Sequence, residues 1–327
     1  MLLPLISTEH SLQLALVKEN PPKVFVSSED IHHVNEGSYY CRQVIRKGKQ
    51  LAMHLVDADD RQHRYLLLHM GMTGRLLVPG RTTNWGHNDK VSTVEEFPPP
   101  YTYLTLQAGD YRVAFSDPRK FGQSQLVENL SSLDKLAPDA LTCASYDPEG
   151  LVGKPTAIKA ILLNQNRVVS GVGNWVADEV LYQIEMHPDQ ANLSTDQAVE
   201  LLNKLESILQ CAVECLLENR PYPSNWLFGY RWTKKKAGKD ALDRSITFLT
   251  SAGRTSAIVS SIQKLYKRQK PASSPEKVVS DVNKPRQTKK RAAPAVTPPS
   301  EATIRQEESV NPRRRRRSAS KAVDYRE

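Results

Sequence analysis

No stretch of the chain approaches the roughly 20 consecutive apolar residues that a membrane-spanning helix needs, and no membrane partner is expected. Cysteine is scarce. Cys41, Cys143, Cys211 and Cys215 are the four in 327 residues, too few for a disulfide scaffold and wrongly spaced for a zinc module. Cys211 and Cys215 stand one helical turn apart and read as buried thiols in a reducing compartment. The first ten residues lack the basic start of a signal peptide and the arginines of a transit peptide, and they carry Glu9, so an intracellular protein is expected. From Lys270 onward Tyr325 is the one aromatic residue, and a segment so poor in apolar side chains cannot repay the entropy of folding.

Charge is unevenly placed. The formal net charge is +9, but residues 268–327 hold 16 Lys or Arg against 7 Asp or Glu, leaving 29 of each sign in the rest of the chain. A nucleic-acid site in the body must therefore come from segregation of charge to one face, whereas the tail binds polyanions generically. Lys289 to Arg291 and Arg313 to Arg317 are basic runs of the nuclear-import type, which makes an import receptor the expected partner of the tail and the nucleus the expected location.

Most of the first half reads as β structure. Lys23 to Ser27 suggests a short strand, and Pro21-Pro22 forbids a continuous helix there. Leu51, Met53 and Leu55 alternate, and Tyr65 to Leu68 is an apolar run. Thr102, Leu104 and Leu106 lead into the turn Ala108-Gly109-Asp110, and Tyr111, Val113 and Phe115 lead out. Residues 79–99 read as an exposed loop. Short strands joined by turns predict an antiparallel sandwich or barrel. At the end of the hairpin, S-D-P-R-K-F-G forces a turn that exposes Arg119, Lys120 and Phe121, with Gln123 to Val127 as a further strand. Such a corner is ordinarily a plain surface turn, but Phe121 as apolar wedge and Arg119 as gap filler would suit a protein that extrudes a base.

Helical periodicity takes over at Thr156 to Leu163. The stretch N-Q-N-R-V-V-S-G-V-G-N-W-V-A-D-E, from Asn164 to Glu179, places Gly171 and Gly173 in a turn with Asn174 as the expected N-cap of the next helix. Free backbone amides and a helix dipole at such a turn suit a phosphate, although most such turns only reverse the chain. Ser194 and Gln197 form a capping box opening a long helix, whose face of Val199, Leu202, Leu205, Leu209, Ala212, Leu216 and Leu217 is expected to be core. Residues 224–239 interleave aromatic with basic side chains, a composition suited to phosphate and sugar. Ile246 to Leu249 and Ala257 to Val259 then predict a two-stranded ribbon around residues 251–254.

The glycine stretch resembles the helix-two-turn-helix segment of the formamidopyrimidine-DNA glycosylase and endonuclease VIII family. That element also occurs in a ribosomal protein and a topoisomerase subunit, but four further segments recur in family order. R-K-G-K-Q-L resembles R-x-G-K-x-L and makes Lys49 the match to the family's active-site lysine, which contacts phosphate at the lesion. H-M-G-M-T-G resembles H-L-G-M-S-G and gives Met72 as the first of three void-filling residues. D-P-R-K-F-G resembles D-x-R-R-F-G and gives Arg119 and Phe121 as the others. Lys159 and Asn174 fall where the family holds the lesion phosphates, and G-R-T-S-A-I-V places Arg254 on DNA. The resemblance runs from about Arg42 to Arg268.

It implies a multi-domain protein of α and β structure. Residues 1–135 form a β-sandwich catalytic domain, of which 1–41 are atypical. Residues 136–223 form a helix-two-turn-helix α domain, 224–267 a hairpin finger, and 268–327 a disordered basic tail. It also implies a bifunctional DNA glycosylase and abasic-site lyase that works on damaged duplex DNA as a monomer, without cofactor or metal. The finger is expected to be of the zincless plant and fungal type, since no cysteine follows Cys215. The family's nucleophile is the amine of an N-terminal proline, next to a glutamate. Here Pro4 is internal and the first carboxylate is Glu9, so a damaged-DNA binder of impaired turnover is the competing expectation.

Overall fold

In the computed structural model the residues that can be described are 5–6, 9–17, 22–83, 92–143, 145–232 and 238–265, with the backbone alone for 82–83 and 92–93. The basic tail, its import runs, Pro4 and much of the 79–99 loop lie outside them. Residues 1–268 belong to one compact unit.

The first half builds two four-stranded antiparallel sheets. One has the order β1 (Gln13–Leu16), β8 (Thr102–Ala108), β9 (Tyr111–Ser116) and β5 (Arg75–Leu77). The other runs β10 (Gln123–Val127), β4 (His63–His69), β3 (Gln50–Val56) and β2 (Tyr40–Lys47). Alternation along the strands sends Leu14, Leu104, Leu106, Val113 and Phe115 of the first sheet against Cys41, Met53, Leu55, Leu66 and Leu68 of the second, in one buried core. The expected hairpin is present, Leu106 pairing with Val113 and Leu104 with Phe115. β10 leaves that hairpin after the Asp117-Pro118 turn and pairs with β4 in the opposite sheet, so the D-P-R-K-F-G corner is where the chain changes layers. Two-residue strands β6 (Thr82–Thr83) and β7 (Ser92–Thr93) flank part of the long loop.

No strand forms at Lys23–Ser27, and a helix that the sequence reading did not foresee follows directly. Residues 23–24 bend, and 25–27 lead on without a strand assignment to Ser27, the N-cap of α1 (Ser28–Glu36), with a reciprocal capping box from Asp30. Ile31 and Val34 then pack on the sandwich core. The S-S-E-D start was the available signal.

The helical part comprises α2 (Ser131–Asp134), α3 (Ile158–Leu163), α4 (Asn174–Gln183) and α5 (Thr195–Leu217). The Ser194 and Gln197 capping box forms as expected. The buried stripe of α5 differs from the expected face. Ala198, Leu201, Leu202, Leu205, Ile208, Ala212 and Cys215 are buried, whereas Val199, Leu216 and Leu217 are exposed, Leu217 by 81%. Both sets keep 3–4 spacing and share Leu202, Leu205 and Ala212; the buried stripe is turned by one residue, about 100°, toward the core it forms with α3 and α4. The chain closes with β11 (Gly238–Lys239), β12 (Ser245–Ser251) and β13 (Arg254–Ile258), a three-stranded sheet where two strands were expected. Its own core of Leu227, Ile246, Ala257 and Val259 includes Tyr182 of α4.

Candidate functional site

The β2–β3 turn holds Gly48, at φ +59°, and Lys49. Asp139, from the segment before α3, accepts from both terminal nitrogens of Arg46 at 2.5 and 2.7 Å and from the Gly48 amide at 2.5 Å. Burial alone would raise the Asp139 pKa, but these donors and the Leu141 amide hold it below the usual carboxylate value. Gly48 thereby lies against the glycine turn of the helical part: a Cβ on Gly171 would be 3.6 Å from the Gly48 Cα, and one on Gly48 would meet Ser170 at 3.1 Å. Gly171 itself is at φ +101°. Gln165 braces this turn, accepting from the Gly171 amide at 2.8 Å and donating to the Val172 carbonyl at 3.1 Å. Lys49 is exposed along its chain, and its amine donates to the same Val172 carbonyl at 2.7 Å. Desolvation of that amine, and then the nearby Arg254 charge, lower its pKa from the ordinary lysine value.

Asp117 organises a second corner. Its carboxylate accepts from the Thr73 hydroxyl at 2.5 Å and from the amides of Arg119, Phe121 and Gly122 at 3.2, 2.7 and 2.6 Å. Burial works to raise its pKa, and the hydrogen bonds overcome this and lower it. The Met72 turn and the Phe121 turn touch, since a Cβ on Gly71 would fall 2.5 Å from the Phe121 carbonyl. Above this rigid base Met72 is 60% and Phe121 49% exposed. Such exposure is unusual for large apolar residues held so firmly. The Arg119 guanidinium lies 4.9 Å from the Phe121 ring. His69 links the two corners: its Nδ1 accepts from the Gly71 amide at 3.1 Å, and burial followed by the Lys49 charge lowers its pKa.

A buried ionic group docks the terminal sheet. Lys159 of α3 donates to Asp178 of α4 at 2.6 Å and also bonds the Ser256 hydroxyl of β13. Asp178 accepts as well from Arg231 at 2.5 Å and from the Ala257 amide at 3.2 Å. Lys159 has no exposed surface, which corrects its expected place at a phosphate: in this arrangement its charge is spent inside the fold, on Asp178. Desolvation lowers its pKa although Asp178 opposes this. Beside it Glu179 accepts from the Leu227 and Phe228 amides at 3.3 and 2.8 Å, and burial raises its pKa. Asn174 is the first residue of α4, and Gly173 is the N-cap. The Asn174 amide is drawn away from capping by the Thr255 carbonyl, 2.9 Å off. This fixes the residue next to the exposed Arg254.

The structure thus gathers Lys49, Asn174 and Arg254 about the glycine turn, groups Met72, Arg119 and Phe121 in the adjoining corner, and withdraws Lys159 into the core. The sequence reading missed Asp117, Asp139, Gln165, Asp178 and Glu179. Asp117, Gln165, Asp178 and Glu179 lie inside motifs already quoted, which was their one usable signal, whereas Asp139 lies outside all of them. Trp226 and Phe228, expected at phosphate and sugar, are each 6% exposed and pack with Trp175 and Tyr222. Trp232 is exposed by 43%. Among the described residues no group of three or more His, Cys, Asp or Glu side chains is placed to hold a metal ion.

Residues 12–124 match the family model of the formamidopyrimidine-DNA glycosylase N-terminal domain, and residues 136–218 that of the H2TH domain of the same glycosylase. A formamidopyrimidine-DNA glycosylase of Arabidopsis thaliana is 35% identical over 231 residues, 68% of this chain and 57% of the relative. The one of Zymomonas mobilis is 32% identical over 227 residues, 64% of this chain and 76% of the relative. The chain thus spans little more than half the length of the Arabidopsis relative. The crystal structure of the Lactococcus lactis formamidopyrimidine-DNA glycosylase, non-covalently bound to DNA containing an abasic site, is similar in fold, with a TM-score of 0.59 over 78% of this chain and 92% of that one at 20% identity. With both domain models matched in order along a β-sandwich and a helix-two-turn-helix unit, the chain belongs to the formamidopyrimidine-DNA glycosylase family.

Proposed function

We propose that this chain is a base-excision repair enzyme that extrudes an oxidised base from duplex DNA, releases it hydrolytically and opens the abasic site by β,δ-elimination through a Schiff base. The observation that carries this reading is the corner clamped by Asp117, where Met72, Arg119 and Phe121 stand exposed on a backbone fixed by four hydrogen bonds. Side chains pushed into a duplex must keep their position while the stack resists, and a preorganised base achieves that. Lys49 and Arg254 supply positive charge at the glycine turn for the phosphates flanking the extruded nucleotide, with Asn174 beside them. The terminal sheet serves as a finger without zinc, docked by Asp178 and Glu179. The chain acts as a monomer in the nucleus, which its basic tail addresses through an import receptor.

The test is incubation with abasic-site duplex in the presence of borohydride. A covalent adduct between chain and DNA is expected. Tight, abasic-specific binding without an adduct would instead establish a damage binder without turnover, and equal affinity for intact duplex or RNA would sink both readings.

A further inference from the structure

Gln50, His69 and Gln123 are direct cross-strand neighbours at one end of the second sheet, Gln50 opposite His69 and His69 opposite Gln123. With strands about 4.8 Å apart, they form a row roughly 10 Å wide on one face. Leu67, on the same face, floors a cavity of about 90 Å³ that the Leu68–Ser124 pair also lines, and whose rim is completed by Gln125 and by Ser132 of α2. Several glutamine side chains elsewhere, those of Gln62, Gln165, Gln183 and Gln263, are hydrogen-bonded within the protein. Among the described residues the amides of Gln50, Gln123 and Gln125 and the Ser132 hydroxyl have no such partner. The His69 Nδ1 accepts from the Gly71 amide, so its neutral ring carries the proton on Nε2. The row begins immediately after Lys49 on one strand and after Gly122 on another, directly behind both corners of the candidate site.

Its chemistry differs from that of the corners. No lysine or arginine lines the cavity. A phosphate offers only acceptors, whereas each glutamine presents a donor and an acceptor side by side, the pattern found along the edge of a base. At about 90 Å³ the cavity has room for roughly three waters' worth of volume, so it takes the edge of a base and not a nucleotide. We infer that the Gln50, His69 and Gln123 ledge seats the edge of a nucleobase next to the lesion and gives the protein a preference for sequence context. This rests on the DNA reading above.

The experiment measures affinity for a panel of abasic-site duplexes that differ only in the base pairs flanking the abasic site, at several salt concentrations, alongside intact duplex. The wild-type chain should spread across the panel by about fivefold or more, the discrimination of one bidentate base contact. Gln50→Ala with Gln123→Ala, at unchanged melting temperature, should compress the spread to within twofold. The slope of log affinity against log salt should stay the same, because neutral side chains release no counterions, whereas Lys49→Ala should lower it by about 0.9. A wild-type chain indifferent to context, a double variant that keeps the full spread, or a double variant whose salt slope falls like that of Lys49→Ala would overturn the ledge. Failure of the wild type to prefer abasic over intact duplex would show separately that the DNA reading itself is wrong.

Discussion

The amine of Lys49 and the carbonyl of Val172 meet at 2.7 Å across 123 residues of sequence, joining the first turn of the β layers to the glycine turn of the helices. The same carbonyl accepts from Gln165. A single oxygen therefore sets the positions of the lysine and of the turn together.

The burial that accompanies this contact makes Lys49 sensitive to pH. Desolvation and Arg254 lower its pKa, so the charged form that holds a phosphate is present at low pH and lost, as pH rises, sooner than for an ordinary lysine near ~10.4. Affinity for abasic-site duplex should fall between pH 7 and 10 on the order of threefold more in the wild type than in Lys49→Arg, whose charge persists. Parallel pH profiles, measured by fluorescence anisotropy at fixed ionic strength, would count against the assignment.

Asp178→Asn should be among the most damaging single changes. It leaves Lys159 and Arg231 buried without their counter-charge, a loss of about 3–5 kcal/mol, visible as a lowered thermal midpoint. Adding Lys159→Met should restore part of the loss by removing one of the stranded charges. A double variant less stable than Asp178→Asn would mean that the group is not coupled in this way.

Arg119→Ala with Phe121→Ala should leave the fold intact, since both side chains are exposed, and weaken binding to abasic-site duplex by a few kcal/mol. Binding to intact duplex should change much less. Equal weakening on the two duplexes would reduce the pair to ordinary surface contacts.

Deleting residues 270–327 should lower the salt dependence of non-specific DNA binding and abolish nuclear accumulation while preserving the preference for damaged duplex, because basic runs contact phosphates without reading structure. Titrations at several salt concentrations and microscopy of a tagged truncation check the two halves independently.

Local patterns made much of this architecture legible. The hairpin from Thr102 to Phe115, the Ser194 capping box and the β12–β13 ribbon follow from alternation, turn residues and caps, which act over a few residues. Among the candidate site residues, Arg119 and Phe121 could be read from the turn that exposes them and Asn174 from the glycine turn, but Lys49, Met72 and Arg254 were legible only through the family motifs, since nothing in their periodicity sets them apart. What escaped was long-range. Lys159 reads as a helical surface lysine until Asp178, 19 residues on, and Ser256, 97 residues on, close around it. Asn174 has the composition of a cap, but the Thr255 carbonyl, 81 residues away, outbids the helix for its amide. α1 was missed for a nearer reason: two prolines and a short extended lead-in outweighed the Ser27 and Asp30 box.

The paired grip of Asp139 on Arg46 and Gly48 has a mechanical consequence. A bidentate, charge-assisted clamp, its carboxylate buried, rivets the β2–β3 turn to the chain that leads into the helices. A receptor riveted at this joint gains little by swinging shut on its ligand, so on the proposed reading the duplex must supply the bending. Stiff, intact DNA resists that deformation at several kcal/mol, while a site already weakened by a damaged or missing base yields cheaply. Suppleness would then be sampled before any atom of the lesion is touched.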